Sequence, residues 1–189
     1  MSDALITKRA IAEALKKICR EKPFDKISIA DITSDCGLNR QTFYYHFQDK
    51  YELLSWIYYN EIFARITEDI TLENWDQKIL FMLQIMEEEK SFYKNTIRER
   101  EHTFESYLLE MAKALFLEAI IALDENGKLS EEEQTFDAEF YAYGICGVIM
   151  SWAEKGMKMK PETVVHRLKN LAQVFQVLKG DKRLLGKRT

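Results

Sequence analysis

The residues best suited to recognition chemistry lie in one short stretch, residues 40–47, with the sequence RQTFYYHF. A guanidinium group can donate two parallel hydrogen bonds to guanine, and a carboxamide can pair in the same way with adenine. Arg40 and Gln41 therefore predict base contacts. Phe43 and Phe47 are four residues apart, so a helix would place both rings on one face, packed inward. The stretch reads as a helix with a buried aromatic side and a polar outer side.

The residues before this stretch predict how it is positioned. Ser28 followed by Asp31 is a capping-box pattern that predicts the start of a short helix. Gly37 predicts its end, since glycine takes the left-handed conformation without penalty. Asn39 then predicts the N-cap of the next helix, although its carboxamide could contact a base instead. Two short helices joined by a tight turn are typical of a helix-turn-helix, whose second helix enters the major groove of DNA.

The composition predicts an all-α protein. Its 189 residues are 47% hydrophobic and 31% charged, with only seven Gly and two Pro, so helix breakers are few. Apolar periodicity and capping residues predict a first helix over about residues 3–21, and a helix opening at residue 49 after residues 28–47. Longer helices are predicted at about 75–88, 92–98, 104–123, 130–152 and 162–178.

The charge of the chain confines DNA binding to a local surface. The net charge is −4, yet residues 1–50 carry nine Lys/Arg against seven Asp/Glu. Cys19, Cys36 and Cys146 show neither metal-ligand nor disulfide spacing, which favours a reducing compartment. Neither a leader-like segment nor an apolar run near twenty residues is present, so we expect a cytoplasmic protein with no membrane partner.

As an ordered set, several short elements over about residues 7–60 resemble the TetR family of transcription regulators. These elements are Thr7, residues 29–32 (IADI), residues 37–38 (GL), residues 42–47 (TFYYHF), Lys50 and residues 52–54 (ELL). Residues 144–162 are similar to one C-terminal subgroup of the family. Residues 40–44 together with residues 52–57 are similar to regulators associated with dihydroxyacetone kinase operons.

The resemblance implies a helix-turn-helix domain over residues 1–50 and a helical effector-binding and dimerisation domain over residues 51–189. It also implies a homodimer on a palindromic double-stranded DNA operator. Family counterparts of Thr42, Tyr44, His46 and Lys50 commonly contact phosphate oxygens, a role that hydroxyl, imidazole and ammonium donors suit. Tyr45 is expected against the groove or the sugar-phosphate backbone. Ser28, primarily a cap, is included because helix starts also receive phosphates.

Apolar side chains of the C-terminal half could line an effector pocket or simply fill a core. They are Trp75, Met82, Met86, Phe104, Tyr107, Met111, Phe140, Tyr141, Tyr143, Met150 and Trp152. From these we select Met82, Met86, Phe104, Tyr107, Met111, Tyr141 and Trp152. The predicted dimer interface combines small residues that allow close helix approach with an apolar stripe on the last helix. Its members are Gly144, Gly147, Leu168, Leu171, Phe175 and Leu178.

The expected function is therefore a DNA-binding repressor that is relieved by a small effector, with no cofactor or metal required. An alternative keeps the DNA-binding unit but makes the protein an activator, or one whose C-terminal domain binds a protein co-regulator. An enzyme is disfavoured, because the sequence contains no phosphate loop, catalytic triad order, metal spacing or glycine-rich fingerprint. An all-α adaptor without a DNA role is the remaining alternative.

Overall fold

In the computed structural model, the structure describes residues 3–99, 103–124 and 127–180, with side chains as far as residue 172. Over these ranges the chain is helical and contains no strand, in agreement with the expected all-α class. None of the helices searched within these ranges has the length and apolar character needed to cross a membrane.

The N-terminal part is built from three helices. Helix α1 spans Asp3–Ile18, α2 spans Ile29–Asp35 and α3 spans Arg40–His46, with a single 3-10 turn at Phe24–Lys26 between α1 and α2. Helix α1 ends earlier than the predicted residue 21, because the chain turns ahead of Pro23, which has no N–H to continue a helix. The predicted N-caps at Ser28 and Asn39 are both confirmed.

Seven further helices follow within the described residues. Their bounds are α4 Lys50–Tyr58, α5 Ala64–Thr67, α6 Trp75–Glu88, α7 Lys90–Thr96, α8 Thr103–Leu123, α9 Glu131–Glu154 and α10 Pro161–Gly180. The predicted capping box at Ser130 is confirmed, as is Pro161 at the first position of the last helix. Helices α8 and α9 pack along each other as a long antiparallel pair, and α6 packs against α10.

A cluster of aromatic rings joins the two parts of the chain. Tyr58 at the end of α4 lies 5.1 Å from Phe104 of α8 and 5.9 Å from Tyr93 of α7, measured between ring centroids. All three rings are fully buried. Aromatic contacts of this kind add about 0.5–1.5 kcal/mol per pair to the burial of the ring surface. The N-terminal part of the chain is therefore followed by α4, which is tightly packed against α7 and α8.

A π-helical segment, Tyr59–Phe63, separates α4 from α5. The sequence contained no signal for it, since neither proline nor glycine stands there. Ile62 and Phe63 are buried in the core, whereas Tyr59 is exposed. The π-helical turn therefore lies where the helix buries Ile62 and Phe63 in the core.

Candidate nucleic-acid interface and effector cavity

The turn between α2 and α3 is a Schellman motif. The N–H of Leu38 donates to the carbonyl of Thr33 at 2.9 Å, and the N–H of Gly37 donates to the carbonyl of Ser34 at 3.4 Å. Gly37 has a φ of 68°, the left-handed conformation that glycine adopts without penalty. The predicted role of Gly37 is confirmed, and the turn fixes the angle at which α3 leaves α2.

Helix α3 is clamped to the domain by its two phenylalanines. The rings of Phe43 and Phe47 are buried, and their centroids lie 5.8 Å apart. Phe47 also meets the ring of Trp56 on α4 at 5.9 Å, and the ammonium of Lys8 lies 5.1 Å from its centroid. The predicted inward side of the helix is therefore confirmed. An anchored scaffold of this kind is what a base-reading helix requires.

The opposite side of α3 carries four exposed side chains, Arg40, Gln41, Tyr44 and Tyr45, which we call the recognition face. Arg40 and Tyr44 are four residues apart, as are Gln41 and Tyr45, so the four form one contiguous surface. Tyr45 is 83% exposed and Tyr44 57% exposed, unusual values for large rings. The side chains of Arg40 and Gln41 form no hydrogen bond or ion pair with another described residue, so their donors are available to a ligand.

The remaining predicted DNA-contact residues also make contacts within the fold. The Asn39 Oδ1 accepts hydrogen bonds from the N–H of Thr42 at 2.8 Å and from its hydroxyl at 3.1 Å. Ser28 is exposed, and its hydroxyl donates to Asp31 at 2.8 Å within the capping box. His46 is half-buried at the end of α3, against Tyr45 at 5.0 Å. The DNA contacts of all of these residues stay predictions.

Lys50 makes contacts within the fold that its prediction did not include. Its Nζ donates hydrogen bonds to the carbonyls of Phe24 at 2.7 Å, Ile27 at 3.0 Å and Asp25 at 3.2 Å. It also lies 4.6 Å from the centroid of the Phe24 ring, and burial lowers its pKa. An ammonium has three N–H donors, and all three are used here. Lys50 thus holds the turn between α1 and α2, and its phosphate contact stays a prediction.

Ion pairs tie α2 to α1 and its following turn. Lys22 contacts Asp31 at 2.7 Å, and Lys17 contacts Asp35 at 2.5 Å. The hydrogen bond from Lys22, followed by those from Ser28, holds the pKa of Asp31 well below its usual range. These largely exposed pairs contribute little stability individually, but each one balances the negative charge of a carboxylate on α2.

A second charged cluster lies where α1 meets the C-terminal part. The Lys16 ammonium contacts Glu13 at 2.7 Å and Glu61 at 2.9 Å, and the Lys16 side chain is almost fully buried. Burial alone would lower the pKa of Lys16, but the two carboxylates outweigh it and raise the pKa. Burial also raises the pKa of Glu61. A paired charge at this depth fixes the position of α1 against the π-helical segment.

An apolar cavity of about 200 Å³ opens among α6, α8, α9 and α10. It is smaller than the 300–1,000 Å³ typical of ligand pockets. The residues lining it are apolar, and among them only Trp75, through its indole N–H, carries a hydrogen-bonding side chain. The lining residues are Leu72, Trp75, Ile79, Leu108, Met111, Ala112, Leu115, Phe116, Ala119, Ala122, Leu123, Ile145 and Ala172.

Most of the residues predicted to form the effector pocket do not line this cavity. Of the seven selected residues only Met111 lines it, together with Trp75 from the wider set. Met82, Met86 and Phe104 are fully buried in the packed core. Helical spacing identifies an inward face, but it cannot tell which inward residues meet an empty volume.

The other three selected residues have partners within the core or at its edge. Tyr107 packs on Phe63 at 5.1 Å, and Tyr141 packs on Phe116 at 5.6 Å. The indole Nε1–H of Trp152 donates to the carbonyl of Met159 at 2.7 Å. Tyr141 reaches the cavity only through Phe116, which forms part of its wall.

Helix α9 presents an apolar stripe to solvent, which we call the α9 face. It comprises Phe136, Phe140, Tyr143, Gly144, Gly147 and Val148. Phe136 and Phe140 are 68% and 67% exposed. The predicted interface glycines therefore lie on the surface, where nothing stands within 4 Å of an added Cβ. Sequence reasoning missed Phe136 and placed Phe140 and Tyr143 inside. The spacing of these rings, four residues from Phe136 to Phe140 and three from Phe140 to Tyr143, was a signal for one shared face.

The side of α10 that faces solvent differs from the predicted one. Leu168 is 2% exposed and packs into the core of its own chain, so it is not available to a partner in this structure. Leu171, three residues later, is 63% exposed. The inward side of α10 follows Val164, Leu168 and Ala172 at four-residue steps, which turns Leu171 outward. The predicted side-chain contacts of Phe175 and Leu178 lie outside the described residues.

Comparison with known proteins agrees with this geometry. Residues 8–56 match the family model described as bacterial regulatory proteins, tetR family, and residues 73–174 match the one described as transcriptional regulator C-terminal region. The chain is 29% identical over 150 residues to the HTH-type dhaKLM operon transcriptional activator DhaS of Lactococcus lactis subsp. lactis (strain IL1403), covering 78% of this chain and 80% of that protein.

A solved structure described as dihydroxyacetone kinase operon activator DhaS is also similar. It superposes with a TM-score of 0.71 at 27% identity, covering 92% of this chain and 98% of that one. The family consists of transcription regulators that bind DNA, not of enzymes. With a helix-turn-helix model and a C-terminal model that together span most of its length, the chain belongs to the TetR family of transcription regulators.

Proposed function

We propose that this regulator reads its operator with the recognition face of α3. The observation that supports the proposal is the division of the helix into two sides. Phe43 and Phe47 are buried, whereas Arg40, Gln41, Tyr44 and Tyr45 are exposed around them. Arg40 and Gln41 can each pair bidentately with a base. The two exposed tyrosines are large rings of a kind that is more often covered than left in water, which suits contact with a DNA groove.

Selection of bound double-stranded DNA from a random pool tests the proposal. The purified chain should enrich a palindromic site. On that site, Arg40→Ala should cost about 1–3 kcal/mol of binding free energy and relax one base position. Arg65→Ala removes the same group from an exposed position on α5 and serves as the matched control. Enrichment of no sequence, or unchanged specificity in Arg40→Ala, would contradict base reading by this helix.

We propose that the chain acts as a homodimer through the α9 face. The exposed rings of Phe136 and Phe140 favour burial against a second copy, and Gly144 and Gly147 allow two helices to approach closely. A dimer can present two copies of α3 to successive major grooves, about 34–36 Å apart. Of the two predicted interface residues of α10 whose side chains are described, Leu171 is exposed and is retained in this proposal, whereas Leu168 is buried.

Sedimentation velocity tests the dimer. Phe140→Glu should convert it to a monomer and abolish binding to the full palindrome, because a carboxylate would be buried in an apolar interface. Ile6→Glu introduces the same charge at an exposed apolar position of α1 and should leave the dimer intact. A dimeric Phe140→Glu variant would place the interface elsewhere.

We propose that a signal received by the C-terminal domain controls the affinity for DNA. The cavity between α6 and α10 supports a small apolar effector, and relief of repression by such a ligand is the predicted mode. In this proposal the dimer exchanges between arrangements that differ in the separation of its two α3 helices. The effector shifts their populations only by its differential affinity for them. Thermal unfolding with a panel of small apolar compounds should show stabilisation that is lost in Ala119→Phe, which fills the cavity.

A second candidate is an activator whose C-terminal domain binds a protein co-regulator. Two observations favour it. The side chains that line the cavity offer a polar metabolite no hydrogen-bonding group beyond the indole N–H of Trp75, and the two similar proteins reported above are both described as activators. A reporter gene downstream of the selected site distinguishes the two modes. Deletion of the regulator raises transcription if it represses and lowers it if it activates.

A further inference from the structure

The turn between α1 and α2, residues 19–27, is held by side chains from two other places in the chain. Lys50 holds it from the start of α4 through three backbone carbonyls. Asn95 holds it from α7, which belongs to the C-terminal part. The function proposed above does not involve Asn95.

Asn95 uses both ends of its carboxamide on this turn. Its Oδ1 accepts the N–H of Phe24 at 3.0 Å. Its Nδ2 donates to the carbonyl of Lys22 at 2.9 Å and to that of Cys19 at 3.2 Å. In a continuing helix the N–H four residues after Cys19 would satisfy that carbonyl, but that residue is Pro23, which has no N–H. Asn95 therefore supplies the donor that the proline lacks.

Helix α7 itself is firmly attached to the C-terminal core. Phe92 and Tyr93 are fully buried in the aromatic cluster. The hydroxyl of Thr96 receives a hydrogen bond from Tyr58 at 2.7 Å and donates to the carbonyl of Phe92 at 2.8 Å. A displacement of α7 is thus passed to the turn through three hydrogen bonds from a single side chain.

We propose that Asn95 is a positioning residue for DNA binding. It fixes the turn that carries α2 and α3, and so couples the placement of the recognition face to the core of the C-terminal domain. The inference rests on the proposed function, because its effect is measured as affinity for DNA. Few other side chains could do this, since the site needs one acceptor and two donors on one short planar group.

Asn95→Asp is the most informative variant. It retains the size of the side chain and the acceptor for Phe24, but it loses both donors and turns a carboxylate towards two carbonyls. Affinity for the selected operator at pH 7 should fall about tenfold, which corresponds to the loss of hydrogen bonds worth ~1.4 kcal/mol. The circular dichroism spectrum should be unchanged. In hydrogen-exchange measurements the amide of Phe24 should exchange faster in Asn95→Ala, which lacks the acceptor, than in Asn95→Asp, which retains it.

A pH profile separates this role from general destabilisation. Two facing carbonyls raise the pKa of a carboxyl, and a protonated carboxyl can donate one hydrogen bond. The ratio of variant to wild-type affinity should therefore recover several-fold at about pH 5. Asn95→Ala should show the same loss at both pH values. Asn60→Asp, an exposed position whose amide contacts only Trp56 in its own helix, should bind within about twofold of wild type.

Several results would overturn the proposal. One is wild-type affinity in folded Asn95→Asp and Asn95→Ala. Another is a loss in Asn95→Asp that does not recover at low pH, since this would show a merely structural effect. Failure of both variants to fold would equally assign Asn95 to folding alone. If wild type selects no DNA, the proposed function fails by itself, and this result is seen before any variant is made.

Discussion

Replacing Lys50 by methionine separates two roles for this side chain. Its sequence position predicts a phosphate contact, whereas its three hydrogen bonds to backbone carbonyls assign it to the fold. Methionine retains much of the aliphatic length and removes the charge and the donors. The two roles make opposite predictions for stability and for the salt dependence of DNA binding.

The expected loss of stability can be worked out from the contacts. The carbonyl of Phe24 also accepts the N–H of Ile27 at 3.0 Å, so it keeps one hydrogen bond after the substitution. The loss of stability therefore comes chiefly from the carbonyls of Asp25 and Ile27, which lose the hydrogen bonds from Lys50. Two hydrogen bonds at about 1 kcal/mol each, with a cation–π contact worth about 0.5–1 kcal/mol, give a loss of ~2–3 kcal/mol. Because the Lys50 side chain is partly accessible to solvent, we expect the loss of stability to lie at the low end of this range.

Urea unfolding followed by circular dichroism measures this loss, provided that the m-value is unchanged. Lys26→Met is the matched control. Lys26 is exposed and contacts only Asp25, at 3.4 Å, so its loss should be below about 0.5 kcal/mol. A phosphate contact predicts instead a nearly unchanged stability and a salt slope of operator binding reduced by about 1. That pair of results for Lys50→Met would refute the structural role.

Two further predictions concern the helix-turn-helix. Gly37→Ala should lower the free energy of unfolding by about 1–2 kcal/mol, because φ is 68° and the added Cβ meets nothing within 4 Å, so only backbone strain acts. Urea unfolding measures it, and an unchanged midpoint would contradict the strain. The lowered pKa of Asp31 means that its carboxylate stabilises the fold above about pH 4, and that this contribution is lost as the pH falls through the lowered pKa. Asp31→Asn should therefore be less stable at pH 7 and should have a flatter acid limb in pH-dependent unfolding. An acid limb as steep as that of wild type would contradict this assignment.

Local signals in the sequence were enough to predict most of the secondary structure and the two sides of α3. Ser28, Gly37 and Asn39 act on their own neighbours, through caps and a left-handed turn, so their effects do not depend on the rest of the fold. The period of Phe43 and Phe47 likewise specifies the buried side of the helix without knowledge of what covers it. The predicted bounds of α6, 75–88, coincide with those observed.

Tertiary structure alone decided the roles that depend on distant partners. The task of Lys50 follows from carbonyls more than twenty residues away, and that of Asn95 from a turn more than seventy residues away. The cavity lies where four helices leave space between them. The periodicity of a single helix does not predict such a volume. Leu168 and Leu171 are both apolar, and only the packing of α10 on α6 turned one inward and the other to solvent. Period and capping are properties of one segment, whereas shared donors and empty volume arise from several segments that meet in space.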